Sequence, residues 1–372
     1  MGSSGGATFA CAISCSFIET EEGFVSNSTN GQWRLRSRPV GMIQESDFER
    51  VDVPVENPSD GEFLVRNLYL AFEPAMRGWL NDVKSYVPPV GIGEVMRAST
   101  VGQVVESKHD GFPVGTLVSG MLGWQEFALC DGKPGLMGTV RPLPPGVDPV
   151  LSLSALGGTG MTAYFGMLDI GKPREGDVVL VSGAAGATGS IAGQIAKIQG
   201  ATKVVGIAGG ERKCNWLTQQ AGFDAAIDYK SDDLRERLRK ECPEGIDLFF
   251  DNIGGEILDQ ALLNMAQNGR IVLCGGISAY NEDDLPPGPK HYMQLVVRRC
   301  SMQGFILIDH FQRAGEALGN LSKWIEEGRL VHAEDIQEGF ENTPKTFLRL
   351  FSGANLGKQL LKIADPPITT KA

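Results

Sequence analysis

The stretch VVLVSGAAGATGSIAGQIAKI, residues 178–198, runs from an apolar segment through three glycines into a helix-like pattern. The apolar run is typical of a buried β-strand, and SIAGQIAKIQG has the spacing of a helix. Gly183, Gly186 and Gly189 lie between the two. Because glycine has no Cβ, the backbone can turn sharply there and approach a phosphate closely. The helix that follows presents free N–H groups and the positive end of its dipole to such an anion.

This arrangement predicts a dinucleotide-binding turn, although its spacing is G-x-x-G-x-x-G rather than G-x-G-x-x-G. By itself the glycine triplet fits tight packing of a helix against a strand equally well. A strand precedes it, a helix follows it, and a second strand, KVVGIAG, comes about 20 residues further on. Together these features favour the dinucleotide site.

The end of the second strand bears on which dinucleotide binds. Sites for NAD usually place an Asp or Glu there to bind the ribose hydroxyls, whereas a 2′-phosphate requires cations. Here the strand ends in two glycines, followed by Glu211, Arg212 and Lys213. Lys213 lies one turn into the next helix, and Tyr229 of AIDYK can close the other side of a phosphate. The sequence favours NADPH, with Glu211 as an argument for NAD and a solvated helix position as the alternative for Lys213.

Two patterns divide the chain. From Trp33 to about Leu129, short β-like runs broken by Gly and Pro predict a small irregular barrel. After the proline-rich linker VRPLPPGVDP, apolar runs alternate with helical patterns over residues 151–330. This alternation predicts an α/β domain with a parallel sheet covered on both faces. The region beyond it has the pattern of one helix, a turn and one strand, and the two ends, 1–30 and 366–372, are predicted to be tails, the first disordered.

Composition excludes several classes. The 372 residues carry a formal net charge of −11, which argues against a nucleic-acid partner. The seven cysteines, without a C-x-x-C pair, suit neither a disulfide framework nor a structural zinc, so we expect a cytoplasmic protein. No apolar run reaches the roughly 18 residues of a membrane span. Residues 7–18 resemble part of a signal peptide, but the first basic residue is Arg34, so we predict neither secretion nor membrane attachment.

Other reaction types lack their residues. GANLGK, residues 353–358, has neither the spacing nor the Ser/Thr of a P-loop. The sequence contains no Y-x-x-x-K, which disfavours short-chain dehydrogenase chemistry. The four histidines, at 109, 291, 310 and 332, have no metal-ligand spacing. We therefore expect no metal in the reaction.

The chain resembles the medium-chain dehydrogenase/reductase superfamily in GGTGMTAYFGMLDIGKPREGDVVLVSGAAGATGS, VVGIAGGERK, FDNIGGE, CGGISAYN and NLGK. Within it the chain is similar to the zinc-free branch of leukotriene B4 12-hydroxydehydrogenases, prostaglandin reductases, plant alkenal double-bond reductases and NADPH-dependent curcumin reductases. The most branch-specific stretch is MRGWLNDVKSYVPPVGIGEVM, in the first domain. The match runs from about Trp33 to Ile363.

The resemblance implies a GroES-like barrel domain over 31–150, completed by 331–365, and a Rossmann domain over 151–330. It implies that the pyrophosphate of NADPH is held by Gly183, Gly186, Ala187, Thr188 and Gly189. The 2′-phosphate would be held by Lys213 and Tyr229. The nicotinamide riboside would be held by Asn252, Cys274 and Asn355. Tyr86 and Tyr280 would face the substrate, and Tyr280 would be catalytic.

Each of these residues also has a plainer interpretation. Tyr280 can cap a strand, Tyr86 can pack in the barrel, and Cys274 suits a small packing position. Asn252 can cap a strand, and Asn355 can form a turn. Their joint occurrence in the family's order favours the active-site interpretation.

The chain departs from the family at one place. Where the family often reads DPYMRGRM, this sequence reads EPAMRGWL, so Ala75 replaces a tyrosine and Trp79 an arginine. We expect a reshaped pocket mouth, and transfer of the substrate from any one relative is in doubt.

The implied reaction is reduction of a C=C bond conjugated to a carbonyl, with hydride passing from NADPH to the β-carbon. Tyr280 and the nicotinamide ribose hydroxyl would stabilise the enolate oxygen, and Tyr280 or water would protonate the α-carbon. Expected substrates are α,β-unsaturated ketones and aldehydes, such as curcumin-like or 15-oxoprostaglandin-like molecules, and the resemblance implies a homodimer. Two alternatives remain: an NADPH quinone oxidoreductase and an NADPH-binding protein without turnover.

Overall fold

The computed structural model describes residues 28–135, 137–282 and 286–368. Of the predicted tail, 1–30, residues 1–27 lie outside the described residues, whereas Thr29 and Asn30 belong to the first strand. The strands in the described residues are β1 (Thr29–Leu35), β2 (Phe48–Pro54), β3 (Phe63–Ala71), β4 (Thr100–Ser107), β5 (Leu117–Gly120), β6 (Phe127–Cys130), β7 (Arg141–Pro142), β8 (Val178–Ser182), β9 (Lys203–Ala208), β10 (Ala225–Asp228), β11 (Ile246–Asp251), β12 (Met265–Leu273), β13 (Ser301–Gly304), β14 (Glu334–Glu338) and β15 (Lys358–Lys362). The α-helices there are α1 (Pro149–Leu153), α2 (Gly158–Phe165), α3 (Ala187–Ile198), α4 (Glu211–Gln219), α5 (Leu234–Glu241), α6 (Gly255–Leu263), α7 (Gln294–Arg298), α8 (Ala314–Glu326) and α9 (Thr343–Ser352).

Six parallel strands form one sheet in the order β10-β9-β8-β11-β12-β13. Counted along the chain this is the order 3-2-1-4-5-6, which is typical of doubly wound dinucleotide-binding sheets. Its central strands are apolar on both faces because helices cover both, and Val179, Leu180 and Val181 of β8 are fully buried. The predicted parallel-sheet domain is confirmed. The strand order reverses between β8 and β11, and this reversal places a crevice at their carboxyl ends.

Helix α3 can pack closely against the rest of this domain because Gly193, which has no side chain, lies where the helix meets Phe223. A Cβ on Gly193 would lie 2.1 Å from the Phe223 ring. Ile191 and Ile195 of the same helix are buried in the hydrophobic cluster that contains Phe223. Overfilling a packed core typically costs about 1–3 kcal/mol, so this position requires glycine.

The first domain is built on a seven-stranded sheet, β14-β15-β3-β4-β5-β7 with β6 beside β3. Strand β15 pairs antiparallel with β3, so the end of the chain returns to this domain. The core holds closely packed aromatic rings. The centroids of Phe48 and Trp124 are 4.9 Å apart, and those of Phe72 and Trp124 are 5.6 Å apart. The predicted β-rich first domain is confirmed.

Two local predictions differ from the structure. The C-terminal region holds an additional strand, β14, whose sequence EDIQE is mostly polar and whose Ile336 is 40% exposed. It forms because parallel pairing with β15 satisfies its backbone. The run SMQGFILI, residues 301–308, is one of the apolar runs of 151–330 that are predicted to be strands. It is a strand only to Gly304, and a 3-10 helix, Leu307–Arg313, follows. In the described part of the chain, no helix combines the length and apolar character needed to cross a bilayer.

Candidate active site

The glycine-rich turn follows β8 at the crevice. Gly183 has a φ of +57°, a conformation that favours glycine, and its carbonyl accepts the Gly186 N–H over 3.0 Å. A Cβ on Gly189 would lie 2.4 Å from that same carbonyl oxygen. Helix α3 then begins at Ala187, and its N-cap residue Gly186 supplies no side-chain cap. The first-turn N–H groups, those of Ala187, Thr188 and Gly189, are therefore placed to bind an anion.

The end of β11 forms the opposite wall of the crevice around a buried carboxylate. Asp251 accepts hydrogen bonds from Ser182 Oγ at 2.6 Å and from the N–H groups of Ile253 and Gly254 at 3.0 and 3.1 Å. Burial is the largest influence on this carboxyl, and it raises its pKa. The Asn252 amide donates to the Ser182 carbonyl at 2.7 Å. Sequence reasoning missed Asp251 and Ser182, which join the ends of β8 and β11.

The NLGK segment reaches the glycine-rich turn from the first domain. The Gly357 N–H donates to the Ala185 carbonyl over 2.8 Å. The Asn355 amide donates to the Gly357 carbonyl at 2.8 Å and is buried. A Cβ on Gly357 would lie 1.9 Å from the Ala333 carbonyl oxygen, so no larger residue fits. The turn and the predicted nicotinamide-side residue Asn355 are thus brought together.

The predicted 2′-phosphate residues lie at the ends of β9 and β10. Lys213 Nζ donates to the Gly353 carbonyl at 2.8 Å, at the end of α9. The Tyr229 ring lies against Gly209 and is 48% exposed. Burial, followed by repulsion from Lys230 and Arg212, lowers the pKa of Lys213. Three cations thus converge beside an exposed aromatic ring, and Lys230 is a member that sequence reasoning missed.

Cys274 follows β12, and its N–H donates to the Asp251 carbonyl over 2.8 Å. Burial raises the pKa of its thiol to about 12. The thiol is therefore protonated at neutral pH, which suits a packing position rather than a nucleophile.

Tyr280 closes the crevice near Asn252. Its hydroxyl oxygen accepts the Gly276 N–H at 3.3 Å. A Cβ added to Gly275 would lie 3.3 Å from the Tyr280 hydroxyl oxygen and 3.2 Å from the Asn252 carbonyl oxygen, so both groups lie next to Gly275. Burial raises the pKa of the Tyr280 phenol, so the group stays protonated well above neutral pH. Because the backbone N–H already donates to its oxygen, the phenol can turn its own hydrogen toward a ligand.

Tyr86 lies on the first-domain side of the same cleft and is 50% exposed. Burial is the main cause of the raised pKa of both Tyr86 and Tyr280. The Glu73 carboxylate raises the pKa of Tyr86 further, and the Tyr86 phenol raises that of Tyr280 further. Glu73 also forms an ion pair with the buried Lys358, with Nζ and Oε1 3.0 Å apart. The Tyr86 phenol, in the first domain, thus acts electrostatically on Tyr280 in the second. The Glu73–Lys358 pair joins residues far apart in sequence, and no local motif signals it.

A buried arginine joins the segments that carry the two tyrosines. Arg77 is 2% exposed. Its guanidinium donates to the Asn281 side chain at 3.0 Å, to the Asn81 side chain, and to the Gly41 carbonyl at 3.1 Å. Asn281 directly follows Tyr280, and Asn81 begins the segment that leads to Tyr86. Sequence reasoning missed this residue, which stands in the branch-specific stretch.

Two family models match the chain. One, described as the N-terminal domain of oxidoreductase, covers residues 31–137, and the other, described as zinc-binding dehydrogenase, covers residues 187–323. In the residues that the structure describes, no three His, Cys, Asp or Glu side chains form a group that could hold a metal ion.

Similar proteins align along nearly their whole length. NADPH-dependent curcumin reductase of Escherichia coli (strain K12) is 40% identical over 340 residues, which cover 90% of this chain and 97% of that protein. Prostaglandin reductase 1 of Bos taurus is 41% identical over 336 residues, 89% of this chain and 98% of that protein. The crystal structure of CurA in complex with NADPH from Vibrio vulnificus matches with a TM-score of 0.85 at 42% identity, covering 90% of this chain and all of that one. The chain therefore belongs to the medium-chain dehydrogenase/reductase superfamily, in the branch that contains curcumin reductase and prostaglandin reductase 1.

Proposed function

We propose that this protein is an NADPH-dependent reductase of C=C bonds conjugated to a carbonyl. The observation that carries the proposal is the Tyr280 phenol, which is held by the Gly276 N–H at the carboxyl ends of β11 and β12. The likeness to curcumin reductase and to prostaglandin reductase 1 supports the same reaction class. Ketones and aldehydes with a conjugated alkene are the proposed substrates.

The geometry of the crevice fits NADPH. The uncapped start of α3 and the turn at Gly183 can hold a pyrophosphate. Lys213, Arg212 and Lys230 repel one another, so a 2′-phosphate among them would be stabilised. In this arrangement Lys213 would exchange the Gly353 carbonyl for the phosphate, and Tyr229 would cover its other side. Asn252, Cys274 and Asn355 are proposed to line the nicotinamide end.

When bound, NADPH supplies the hydride that reduces the β-carbon. The Tyr280 phenol donates a hydrogen bond, without giving up its proton, to the carbonyl oxygen of the substrate, where negative charge develops. A well-placed donor of this kind contributes roughly 3–4 kcal/mol to the transition state. Because burial keeps the phenol protonated, Tyr280 can also deliver the proton that the α-carbon requires.

We propose that the reaction needs no metal ion. Enolate formation requires less polarisation than direct reduction of a carbonyl, and hydrogen-bond donors can supply it. The lack of a candidate ligand group in the described residues supports this proposal. We expect metal analysis of the purified protein to find no stoichiometric zinc, and dialysis against a strong chelator to leave kcat unchanged. Stoichiometric zinc whose removal abolishes turnover would contradict it.

The decisive experiment supplies NADPH deuterated at the transferred position together with a simple enone. We expect deuterium on the β-carbon of a saturated ketone, detected by NMR. Deuterium on a carbinol carbon would show carbonyl reduction instead. A parallel screen of enals, enones, quinones and saturated aldehydes distinguishes the remaining cases, since turnover of quinones alone indicates a quinone oxidoreductase and no turnover at all a binding protein.

We further propose a homodimer joined at the outer edge of the parallel sheet. Strand β13 is the last strand of that sheet, and an exposed edge can pair with another chain. Beside it, in and just before α7, four apolar side chains are more than half exposed: Tyr292, Met293, Val296 and Val297. A patch of this kind is typical of an interface. Light scattering should give a dimer for the native protein and a monomer for Val296→Lys, whereas a monomeric native protein would contradict the proposal.

A further inference from the structure

The segment that carries Tyr86 is fixed at both ends. The Val90 N–H donates to the Trp79 carbonyl over 2.8 Å. One Arg38 nitrogen donates to the carbonyls of Leu80 and Val90 at 2.8 and 2.6 Å. Val90 itself is fully buried. The segment is thus closed into a loop that holds its half-exposed tyrosine at a defined place in the cleft.

Trp79, where this loop begins, contacts the hydroxyl of Tyr86. Trp79 is 4% exposed, and its indole Nε1 donates to Tyr86 Oη over 3.2 Å. The Arg97 guanidinium lies over the indole, 5.9 Å from the ring centroid, and donates to the Pro88 carbonyl at 2.7 Å. The indole is therefore held between the core and the loop, with its N–H directed at the phenol.

The direction of this hydrogen bond is fixed by chemistry. An indole N–H can donate but cannot accept, whereas a phenol does both. Tyr86 must therefore accept from Trp79, and its own hydrogen is left to point elsewhere. The side chain is half-exposed, so this hydrogen is available to a ligand. The Glu73 carboxylate acts electrostatically on Tyr86, and Tyr86 acts on Tyr280. Tyr280 has the same arrangement, since its oxygen accepts from Gly276.

We propose that Trp79 is a positioning residue that makes Tyr86 a second protein hydrogen-bond donor to the carbonyl oxygen of the substrate, beside Tyr280 and the nicotinamide ribose hydroxyl. The inference rests on the proposed function, because it concerns the oxygen at which charge develops during that reaction. Two donors, one from each domain, would hold the oxygen only when the cleft is assembled around the substrate. The position where this chain departs from its family would thus take part in orienting the substrate.

The test compares Trp79→Phe, Tyr86→Phe and the double variant. Trp79→Phe keeps an aromatic ring but removes the donor together with part of the buried indole, so its effect is compared in the two backgrounds and with the same substitution at Trp124. Loss of one such hydrogen bond typically costs about 0.5–1.5 kcal/mol, so we expect kcat/KM for a simple enone to fall about threefold to tenfold, with the KM for NADPH unchanged. In the Tyr86→Phe background the same substitution should change kcat/KM by less than about twofold, because the two residues act as a unit. Equal effects in both backgrounds, or none in either, would overturn the proposal.

A spectroscopic measurement separates positioning from simple damage. With 3-fluorotyrosine incorporated, the fluorine NMR signal of residue 86 can be assigned from its loss in Tyr86→Phe. Because the indole N–H stabilises the phenolate, we expect Trp79→Phe to raise the pKa of this phenol. The matched control is Trp124→Phe, since the buried Trp124 indole nitrogen has no hydrogen-bond partner among the described residues. It should lower stability and leave the residue 86 titration unchanged.

The outcomes also separate this inference from the proposed function. If native protein reduces no enone, the proposed function fails and the donor role of Tyr86 fails with it, even where the titration still detects the bond to Trp79. If enones are reduced and the phenol titrates identically in Trp79→Phe, the proposed function stands and the role of Trp79 is overturned.

Discussion

Arg77 Nε lies 3.0 Å from Asn281 Oδ1, and this contact ties the first domain to the residue next to Tyr280. The arginine is 2% exposed, so its charge is compensated by fixed acceptors rather than by water. The same guanidinium reaches Asn81 in the segment leading to Tyr86. One buried cation therefore helps to set the relative positions of both tyrosines.

Removing the Asn281 acceptor should loosen Tyr280 without unfolding the protein, because Arg77 keeps its other partners. We expect Asn281→Ala to lower kcat for an enone about tenfold, as misplacement of a catalytic group does, while the Kd for NADPH measured by fluorescence stays unchanged. The matched control is Asn320→Ala on α8, because the Asn320 amide donates to the Tyr164 hydroxyl on α2. Equal losses in the two variants would argue against a positioning role.

Replacing Tyr280 by Phe tests the donor directly. We expect turnover of a simple enone to fall on the order of a hundredfold, with NADPH affinity nearly intact. Turnover within about twofold of native would show that the hydroxyl is not the donor.

The pH profile of the native enzyme tests the same group. Burial raises the pKa of Tyr280, and the donor is active while protonated. Activity should therefore stay level through neutral pH and decline only above the ordinary tyrosine value of about 10. In Tyr280→Phe, the alkaline decline should disappear from the residual activity. A decline that persists unchanged would assign it to another group.

Lys213→Ala tests the choice of cofactor. Removing a charge-assisted bond to the 2′-phosphate should weaken NADPH binding about tenfold to a hundredfold and leave NADH binding unchanged. At a fixed ligand concentration, binding stabilises the folded protein by an amount that grows with the logarithm of the affinity, so thermal shifts with each coenzyme at matched concentrations measure the effect. Lys323→Ala, on an exposed face of α8, serves as control. Equal native shifts with NADPH and NADH would contradict the role of Lys213.

His332 provides a test of stability against pH. Its hydrogen bond to Glu334, with Nδ1 and Oε1 2.7 Å apart, is the main cause of its raised pKa. A raised folded-state pKa stabilises the protein fully below the unfolded value of 6.5 and no longer does so once pH exceeds the folded value. His332→Gln should therefore lower the melting temperature more at about pH 6 than at about pH 9. An equal loss at both values would show that the pair is not charged in the folded state.

The strand, glycine turn and helix around Gly183 could be predicted because their signals are local. Alternating apolar runs likewise indicated the parallel sheet, which needs no knowledge of partners. In contrast, the hydrogen bond between Ser182 and Asp251 spans 69 positions. Two buried polar residues far apart in sequence give no pattern that distinguishes them from surface ones, so neither was identified.

The sequence named candidate site residues but did not predict the contacts that these residues make. Lys213 was predicted to meet a phosphate, and in the structure it caps the end of α9 through Gly353. No spacing rule could reveal that contact, because it joins residues 140 positions apart in the sequence. Arg77 was missed for a related reason, since its partners come from three separate segments.

The hydrogen bond from Gly357 to Ala185 has a consequence for biosynthesis. Its donor directly precedes the final strand, whereas the turn that it braces is translated much earlier. A growing chain that has not yet reached Gly357 cannot make this bond, so we expect coenzyme capture to wait until that residue has been added and has left the ribosome. Proteolysis of stalled chains that stop before or well after Gly357, with and without NADPH, would show this order, since only the longer chains should gain protection.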